Sequence, residues 1–281
     1  MAGPDRRSVA RAFAKAADTY TAADFLHGEI RAGIVERLDL VQLAPAVVLD
    51  LGAGPPAATA EILTRFPAAQ GLAVDVTPTM LGVEPQRWAR VCADAGRLPL
   101  PDASVDLVVA SMLLPWCSDP AGVLAEIRRV LRFPGLLAFA TLGPDSLREL
   151  RASWPQPDSA AHTLYFADMH NLGDALVRAG FAEPVVDAHA LTVSYRALER
   201  GIADLRAVGA ANLNPARRLS LTGRGRWQAM TGAYETRRTK DGVLPVTLEI
   251  LYGLAWSGES AQRFVAPGGE IDFPVSRLRR R

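Results

Sequence analysis

The segment Val47–Ala58, VVLDLGAGPPAA, ends an apolar run in an acidic residue and continues with Gly-x-Gly. A short β-branched run before glycines is typical of a buried strand that leads into a tight turn. Glycines at such a junction allow positive φ and a close approach of the backbone to a ligand. Pro56 stands where a third glycine completes the usual dinucleotide-binding turn. Taken alone, the segment fits either a cofactor loop or a plain tight turn.

The chain beyond this segment alternates between strand and helix patterns. After Val47–Leu51, strand patterns occur at 71–75, 91–93, 105–111 and 136–141, and helix patterns occur at 57–66, 78–90 and 119–132. For the last of these helices, Asp119 before Pro120 is the expected N-cap. Short connections between alternating strands and helices predict a doubly wound, Rossmann-like α/β fold with a parallel sheet. Such sheets bind ligands at the carboxyl ends of their strands.

The flanking regions differ from this core. We expect N-terminal helices over 8–40, and after residue 145 two more helices (145–154 and 171–179), a strand at 184–195, an arginine-rich helical region at 197–240 and a closing strand at 246–256. The predicted units are an N-terminal helical cap (1–44), a Rossmann-like core (45–195), an arginine-rich helical lid insertion (196–240), and the closing strand with a basic tail (241–281).

The overall composition excludes some functional classes. Net charge is +1, with 49% hydrophobic and 22% charged residues, so no global field predicts a nucleic-acid or membrane partner. Apolar runs stay below the roughly 18 residues that a membrane span requires. The N-terminus has no apolar signal segment. The two cysteines have neither metal-ligand spacing nor the pattern of a disulfide framework, so we expect no metal site and a cytoplasmic location.

Acidic residues at the strand ends favour the cofactor interpretation of the glycine turn. Asp75 ends the second strand about 20 residues beyond the glycines, where a carboxylate accepts hydrogen bonds from ribose hydroxyls. Asp94 follows the third strand, at the adenine position, and Ser111 ends the fourth. The complete G-x-G-x-x-G cradle for a pyrophosphate is absent from the turn. The pattern therefore predicts a nucleoside without phosphates, S-adenosylmethionine rather than NAD.

Several stretches resemble a known family. VLDLGAG (48–54), AVDVTPTML (73–81), CADAGRLPLPDASVDLVVAS (92–111) and AEIRRVL (125–131) are similar to the successive motifs of class I S-adenosylmethionine-dependent methyltransferases. TLGPDSLREL (141–150), FADMHNLGDALVRAGFAEPVVD (166–187) and LPVTLEILYGLAW (244–256) resemble more specifically the BioC-type malonyl-acyl-carrier-protein O-methyltransferases of biotin synthesis. A mitochondrial complex I assembly factor shares several of these stretches. The resemblance covers residues 8 to 256.

The resemblance implies a set of site residues. The positions that would bind the cofactor are Asp50, Gly52, Gly54, Asp75, Met80, Asp94 and Ser111. Tyr20, in the N-terminal AADTY, matches the tyrosine of the segment that closes over the cofactor, although a helix-packing tyrosine with a wet hydroxyl fits equally. Trp116 is a candidate apolar wall near the methyl group, or a packing residue.

The implied reaction is methyl transfer to a carboxylate of malonyl-acyl carrier protein. A carboxylate is already ionised at neutral pH, so the site needs orientation and exclusion of water rather than a strong base. An arginine fork suits the task of holding the carboxylate. The candidate catalytic residues are Tyr20 and Arg148, and Arg151 shares a helix face with Arg148. The alternative is a solvated arginine that pairs with Glu149 or Asp145.

Two further features have both a functional and a plainer interpretation. His162 follows a Pro/Ser-rich link and could contact the thioester, or lie exposed in a loop. The arginines at 217, 218, 224 and 226 could attract an acidic carrier protein, or coat a solvated lid.

Three departures from the family pattern leave the function open at this stage. They are Pro56 in the glycine turn, Pro115 in LLPWC, and the Phe133-Pro134 pair in LRFPGLL. Proline suits the first position of a helix, but it would be strained if the turn required positive φ there. The alternatives to the methyltransferase are a binding or assembly factor of the same fold, and a relative of the complex I assembly factor with a different reaction.

Overall fold

The computed structural model describes residues 3–82, 86–155 and 160–258. The strands are β1 Val47–Leu51, β2 Gln70–Asp75, β3 Ala89–Cys92, β4 Val105–Ser111, β5 Leu131–Leu142, β6 Phe181–Tyr195 and β7 Leu244–Ser257. They form one seven-stranded sheet in the order β3-β2-β1-β4-β5-β7-β6. Strand β7 is antiparallel to both β5 and β6, and the other pairs are parallel. The predicted α/β fold is confirmed, with a mixed rather than wholly parallel sheet.

The helices are α1 Arg6–Tyr20, α2 Phe25–Leu38, α3 Pro56–Arg65, α4 Pro120–Val130, α5 Arg148–Ala152, α6 Met169–Arg178, α7 Leu198–Ala207 and α8 Arg224–Glu235. The predicted cap of α4 is confirmed, because the side chain of Asp119 accepts a hydrogen bond from the Gly122 N–H and Pro120 opens the helix. No helix of the described residues is both long and apolar enough to cross a membrane.

Three predicted helical regions differ from the structure. The pattern over 8–40 is two helices, since a short 3-10 turn at Thr21–Ala23 separates α1 from α2. The helix predicted over 78–90 is wrong for the described part of that range. Residues 78–82 form a turn that ends at Gly82 (φ +67°), and residues 89–90 begin β3. Residues 83–85 lie outside the described residues. The region 197–240 is helical only in α7 and α8. The predicted basic tail beyond residue 258 lies outside the described residues.

The core lies on both faces of the sheet. One apolar cluster packs α4 and α6 against the sheet, and the other packs α2 and α3 against the opposite face. Strand β4 is buried along nearly its whole length, as expected for a sheet covered on both sides. The carboxyl ends of β1, β2 and β4 therefore meet at one edge of the sheet.

A smaller apolar cluster anchors the helices of the predicted lid. Leu198 of α7 packs with Met230 and Tyr234 of α8 and with Leu244 of β7. The Tyr234 hydroxyl donates to the Pro245 carbonyl at 2.8 Å. Because β7 runs antiparallel to β5, its first residues lie beyond the carboxyl end of β5, and α8 is held at that edge of the sheet.

Candidate active site

A cavity of about 310 Å³ opens at the carboxyl ends of β1, β2 and β4. All of the predicted cofactor residues except Asp50 line it, together with Tyr20: Gly52, Gly54, Asp75, Met80, Asp94 and Ser111. The structure therefore brings Tyr20, at the end of α1, together with Ser111, at the end of β4.

The glycine turn accommodates its two prolines without strain. Gly52 (φ +72°) and Gly54 (φ +60°) occupy the positive-φ positions, which favour glycine. Pro55 is extended (φ −73°, ψ 153°), and Pro56 is the first residue of α3. Proline is well suited to that position, because its missing N–H would have no partner in the helix. The double proline is thus compatible with an intact cofactor turn.

Asp75 links the end of β2 to the glycine turn. Its carboxylate accepts hydrogen bonds from the Gly54 N–H (3.0 Å) and the Thr77 N–H (2.7 Å). Burial raises the pKa of Asp75 above its ordinary value, against the effect of these two bonds. A carboxylate has about four acceptor positions, so two remain for hydroxyl donors from the cavity.

Asp50 lies behind the turn rather than in the main cavity. It lines a second, smaller cavity with Tyr20, and its carboxylate accepts a bond of 2.7 Å from the Thr59 hydroxyl. Burial raises the pKa of Asp50 to about 7, although the Thr59 bond and the positive charge of Arg31 oppose the shift. Asp50 therefore braces β1 against α3, and its cofactor-binding role stays a prediction.

Asp94, at the opposite end of the cavity, pairs with α1. Its carboxylate contacts the guanidinium of Arg6 at 2.7 Å and accepts a bond from the Gly96 N–H at 3.0 Å. Arg6 also lines the cavity. Sequence reasoning missed Arg6, because the residues of the pair are far apart in the chain and only the fold places them together.

Helix α1 covers the cavity. Arg6, Val9, Phe13 and Tyr20 line it from one helix face, and the Phe13 ring meets the edge of Trp116 at 5.1 Å. Tyr20 is buried, in a cluster with Met80 and Val208, and burial raises the pKa of its hydroxyl above the ordinary value.

The cover formed by α1 is tied to the predicted lid. The Thr19 hydroxyl donates to the carbonyl of Ala207, the last residue of α7, at 2.9 Å. Val208, the next residue, packs against Tyr20 above the cavity. The end of α7 is therefore bonded to and packed against the helix that covers the cavity, while the role of 196–240 as a lid stays a prediction.

His27 is a site residue that sequence reasoning missed. It lines both cavities, its ring centroid is 5.3 Å from that of Tyr20, and its Nδ1 is buried without a hydrogen-bond partner among the described residues. The nearest carboxylate oxygen, in Asp24, is 3.6 Å away. Burial lowers the pKa of His27 to about 4, so the imidazole is neutral at physiological pH. No sequence signal indicated His27, because Tyr20 and His27 belong to different helices and only the fold brings their rings together.

Arg148 lies outside the residues that line the cavity. Its side chain is 59% exposed and contacts Asp145 at 3.8 Å and Glu149 at 3.3 Å. Glu149 is itself buried, and Thr247 of β7 donates to it from the backbone N–H (3.0 Å) and from the hydroxyl (2.5 Å). The structure thus shows the surface pairing that the sequence left as an alternative for Arg148, and the catalytic role stays a prediction.

The family-specific stretch TLGPDSLREL is fastened to β7 by its own side chains. Ser146 donates to the Glu249 carbonyl at 3.1 Å and accepts from the Glu249 N–H at 3.0 Å. Arg151 donates to the carbonyls of Pro144 and Ser146, and Leu147 adopts a positive φ of 58°. Arg151 therefore shapes the turn that presents Arg148.

Three other polar or aromatic residues differ in their position: Trp116 lies in the cavity, and His162 and Asp106 lie outside it. Trp116 lines the cavity, as expected of an apolar wall. His162 stacks on Trp154 with ring centroids 3.8 Å apart, outside the cavity lining. The carboxylate of Asp106 accepts from the N–H groups of Ala46 and Val47, so it orients the start of β1.

Comparison with known proteins agrees with this arrangement. Residues 49–139 match the model of a methyltransferase domain. The chain is 43% identical over 266 residues to a malonyl-[acyl-carrier protein] O-methyltransferase from Laribacter hongkongensis, covering 90% of this chain and 89% of the relative. It is 42% identical to a protein of the same name from Methylovorus sp., covering 94% and 93%.

The chain belongs to the malonyl-[acyl-carrier protein] O-methyltransferase family. The predicted family, the enzyme class and S-adenosylmethionine as the cofactor are thereby confirmed. Solved structures are similar in fold: the YcgJ protein of Bacillus subtilis (TM-score 0.57, 16% identity, 80% of this chain and 98% of that chain) and a methyltransferase of Bacillus halodurans (0.57, 17%, 81% and 100%).

The cavity fits S-adenosylmethionine in size and in chemistry. Its volume of about 310 Å³ is within the range of roughly 300–1,000 Å³ for small-ligand pockets. Asp75 offers a carboxylate with spare acceptor positions, and Met80 and Trp116 supply apolar surface. A Cβ at Gly52 would stand 3.0 Å from the Leu113 side chain, a tight contact, and the φ of +72° itself disfavours any residue with a side chain.

Proposed function

We propose that the protein transfers a methyl group from S-adenosylmethionine to the free carboxylate of malonyl-acyl carrier protein, in the early, pimeloyl-forming part of biotin synthesis. The observation that carries this proposal is the similarity to proteins of that name over nearly the whole chain, including the regions outside the methyltransferase core. The strain-free double proline of the glycine turn supports turnover rather than a binding role alone.

Different cavity residues bind different parts of the cofactor. Bound S-adenosylmethionine supplies an electrophilic methyl group on a sulfonium. In our proposal Asp75 accepts hydrogen bonds from the ribose hydroxyls, and Asp94 faces the adenine end. Gly52 and Gly54 allow the close backbone approach, with Met80 and Ser111 completing the wall. These assignments agree with the positions of the residues around the cavity.

The acceptor carboxylate needs to be held without being neutralised. A carboxylate is ionised at neutral pH, so no residue has to remove a proton from it. We assign Arg148 to this task. It can leave its present partners at low cost, because Glu149 retains both hydrogen bonds from Thr247 and Asp145 is 67% exposed. Its guanidinium then presents a fork to the malonyl carboxylate.

The cover excludes water from the reaction. Phe13 and Tyr20 of α1 and Trp116 place apolar surface over the cavity. Excluding water strengthens electrostatic contacts and limits hydrolysis of the sulfonium or the thioester. We assign Tyr20 a positioning role in the closed cover. We also infer a cytoplasmic location, in keeping with the free thiols of Cys92 and Cys117.

The test is transfer of labelled methyl from S-adenosylmethionine to malonyl-carrier protein, with malonyl-CoA and acetyl-carrier protein as comparison acceptors. We expect base-labile label on the malonyl-carrier protein and none on the acetyl form, which lacks a free carboxylate. Absence of label from every malonyl acceptor, with calorimetry showing that the cofactor binds, would reject the proposal.

Arg148→Ala tests the acceptor site separately. We expect kcat/KM for malonyl-carrier protein to fall about 100-fold, the scale of a lost charged hydrogen-bond pair, with unchanged cofactor affinity. Arg178→Ala is the matched control, because Arg178 is also an exposed helix arginine, 3.8 Å from an aspartate. Equal kinetics for the two variants would remove Arg148 from the site.

A further inference from the structure

The loop between α7 and α8 presents an exposed surface that the cofactor site does not use. We define the basic strip as residues 217–226, RRLSLTGRGR, which holds four arginines and no acidic residue. Every residue from 218 to 226 is exposed. Leu219 is 83% exposed and Leu221 is 97% exposed, which makes them two of the most exposed large apolar side chains in the described part of the chain.

The basic strip continues directly from the cover of the cavity. Val208 packs against Tyr20, and the loop that follows is fastened by two asparagines. Asn212 donates to the Ala161 carbonyl at 2.8 Å, and Asn214 donates to the Thr163 carbonyl at 2.9 Å. At its other end, α8 is anchored on β7 at the carboxyl edge of the sheet. Both ends of the strip are therefore fixed on the side where the cavity opens.

Two of the four arginines of the basic strip lie where the helix dipole disfavours a positive charge. Arg224 and Arg226 occupy the first turn of α8, and the preceding Gly223 provides no side-chain cap. The positive end of the helix dipole makes cations unfavourable in that turn, by about 0.3–1 kcal/mol each. The helix dipole therefore does not account for the positive charge at this position, whereas an acidic partner would.

We propose that the basic strip is the docking surface for the acyl carrier protein, with Leu219 and Leu221 as apolar contacts and the arginines as partners for acidic side chains. The inference rests on the proposed function, which makes a carrier protein the substrate. Acidic proteins with a small apolar patch complement such a surface in charge and in chemistry. The strip would thus place the carrier beside the cover, where a malonyl group on a flexible arm can enter.

The charged variant is Arg224→Glu with Arg226→Glu, and the apolar variant is Leu219→Ser with Leu221→Ser. Both are expected to fold. Exposed leucines contribute little to stability, and acidic residues in the first turn of α8 agree with the helix dipole. Controls are Arg178→Glu and Leu40→Ser, which change an exposed arginine of α6 and an 84% exposed leucine after α2.

Two readouts use the full-length enzyme. The first is kcat/KM for malonyl-carrier protein and for malonyl-pantetheine, a thioester without the protein. The second is the affinity for fluorescein-labelled holo-carrier protein, measured by anisotropy. For each strip variant, kcat/KM for malonyl-carrier protein and the affinity for the labelled carrier should each fall about tenfold or more, as expected for removal of steering charges or central contacts. The kcat/KM for malonyl-pantetheine should fall less than about twofold. The loss caused by the charged variant should shrink at high salt.

The outcomes separate this inference from the proposed function. If the wild-type enzyme methylates neither thioester, the proposed function fails, while anisotropy still tests docking. If it methylates both and the strip variants match the controls, the docking surface is elsewhere. If the strip variants lose binding to phosphatidylglycerol vesicles and retain carrier affinity, the strip is a lipid-binding surface and the inference is overturned.

Discussion

The two walls of the cavity are built in different ways. The sheet wall consists of Gly52, Gly54 and Asp75, whose backbone angles and hydrogen bonds are set by neighbours in β1 and β2. The cover wall is α1, which reaches the cavity through contacts with distant segments. The Thr19 bond to Ala207 spans 188 residues, and the Arg6 pair with Asp94 spans 88.

Because of this difference, we expect the sheet wall to determine cofactor binding and the cover to determine how readily the cavity opens. The sheet wall is preorganised, because the strands fix the turn and the carboxylate whether or not a ligand is present. The cover depends on a few side-chain contacts at its edges, which are the kind of contact that opens at low cost in free energy. Substitutions in the sheet wall should therefore change cofactor affinity strongly, and those at the edge of the cover should change mainly the rate of release.

Asp75→Asn should produce the largest effect. We expect the affinity for S-adenosylmethionine to fall about 100-fold, because the variant loses charged hydrogen bonds worth about 1.5–3 kcal/mol each. The free energy of unfolding should also fall, by about 1–3 kcal/mol, because each carboxylate oxygen accepts one backbone N–H and the single amide oxygen of asparagine can replace only one of them. Calorimetric titration and urea unfolding measure the two quantities.

Asp39→Ala provides the control for Asp75. Asp39 follows α2 and pairs with Arg65 at 2.6 Å, and it is 57% exposed and outside the cavity. The control should bind the cofactor as the wild type does. Wild-type cofactor affinity in Asp75→Asn would remove Asp75 from the cofactor site and assign it a structural role alone.

The sequence predicted the sheet wall because its determinants are local. Gly-x-Gly after an apolar run, and an acid at the end of the next strand, are patterns of residue type and short spacing. The structure bears out the start of α3 at Pro56 and the cap of α4 at Asp119 for the same reason. The helix predicted over 78–90 was wrong, because Pro78 and Gly82 favour a turn that the weak apolar pattern did not overrule.

The cover could be predicted only in outline. The helical pattern of 8–40 and the motif around Tyr20 indicated a cap, but the partners of Arg6 and Thr19 depend on how distant elements pack. His27 carried no motif, and only the fold shows that its Nδ1 is buried at the junction of the two cavities. Arg148 illustrates the converse case, since the motif around it was visible and the structure places it beside the exposed Asp145 and the buried Glu149, outside the cavity.

His27→Gln should alter the pH dependence of stability. Unfolded His27 takes up a proton near pH 6.5 and folded His27 only near pH 4, so the unfolded chain binds more protons between these values. His27 therefore destabilises the wild type as pH falls through this window, by up to about 3 kcal/mol. The variant lacks this contribution. Urea unfolding of both proteins from pH 4 to 7 should show their stabilities diverging as the pH decreases.

The test compares the stability of His27→Gln with that of the wild type at each pH, because Asp50 changes the stability of both proteins with pH in the opposite direction. Its pKa of about 7 in the folded state, against an ordinary 3.8, lowers stability as pH rises through the same window. His189→Gln, at an exposed position of β6, is the control for replacing a histidine by glutamine outside the cavity. A constant difference between His27→Gln and the wild type would mean that His27 is hydrated in the native protein.

Thr19→Val should produce the smallest effect and the most informative one about the cover. Valine has nearly the same shape as threonine but cannot donate to the Ala207 carbonyl, so α1 loses its hydrogen bond to the end of α7. We expect S-adenosylmethionine to dissociate about fivefold faster in stopped-flow measurements, as expected for a hydrogen bond worth about 1 kcal/mol. Thr64→Val is the matched control, because the Thr64 hydroxyl donates at 2.9 Å to Ala60 within its own helix. If both variants released the cofactor at the same rate, α1 would close the cavity independently of α7, and the two walls would not differ in the way that their contacts indicate.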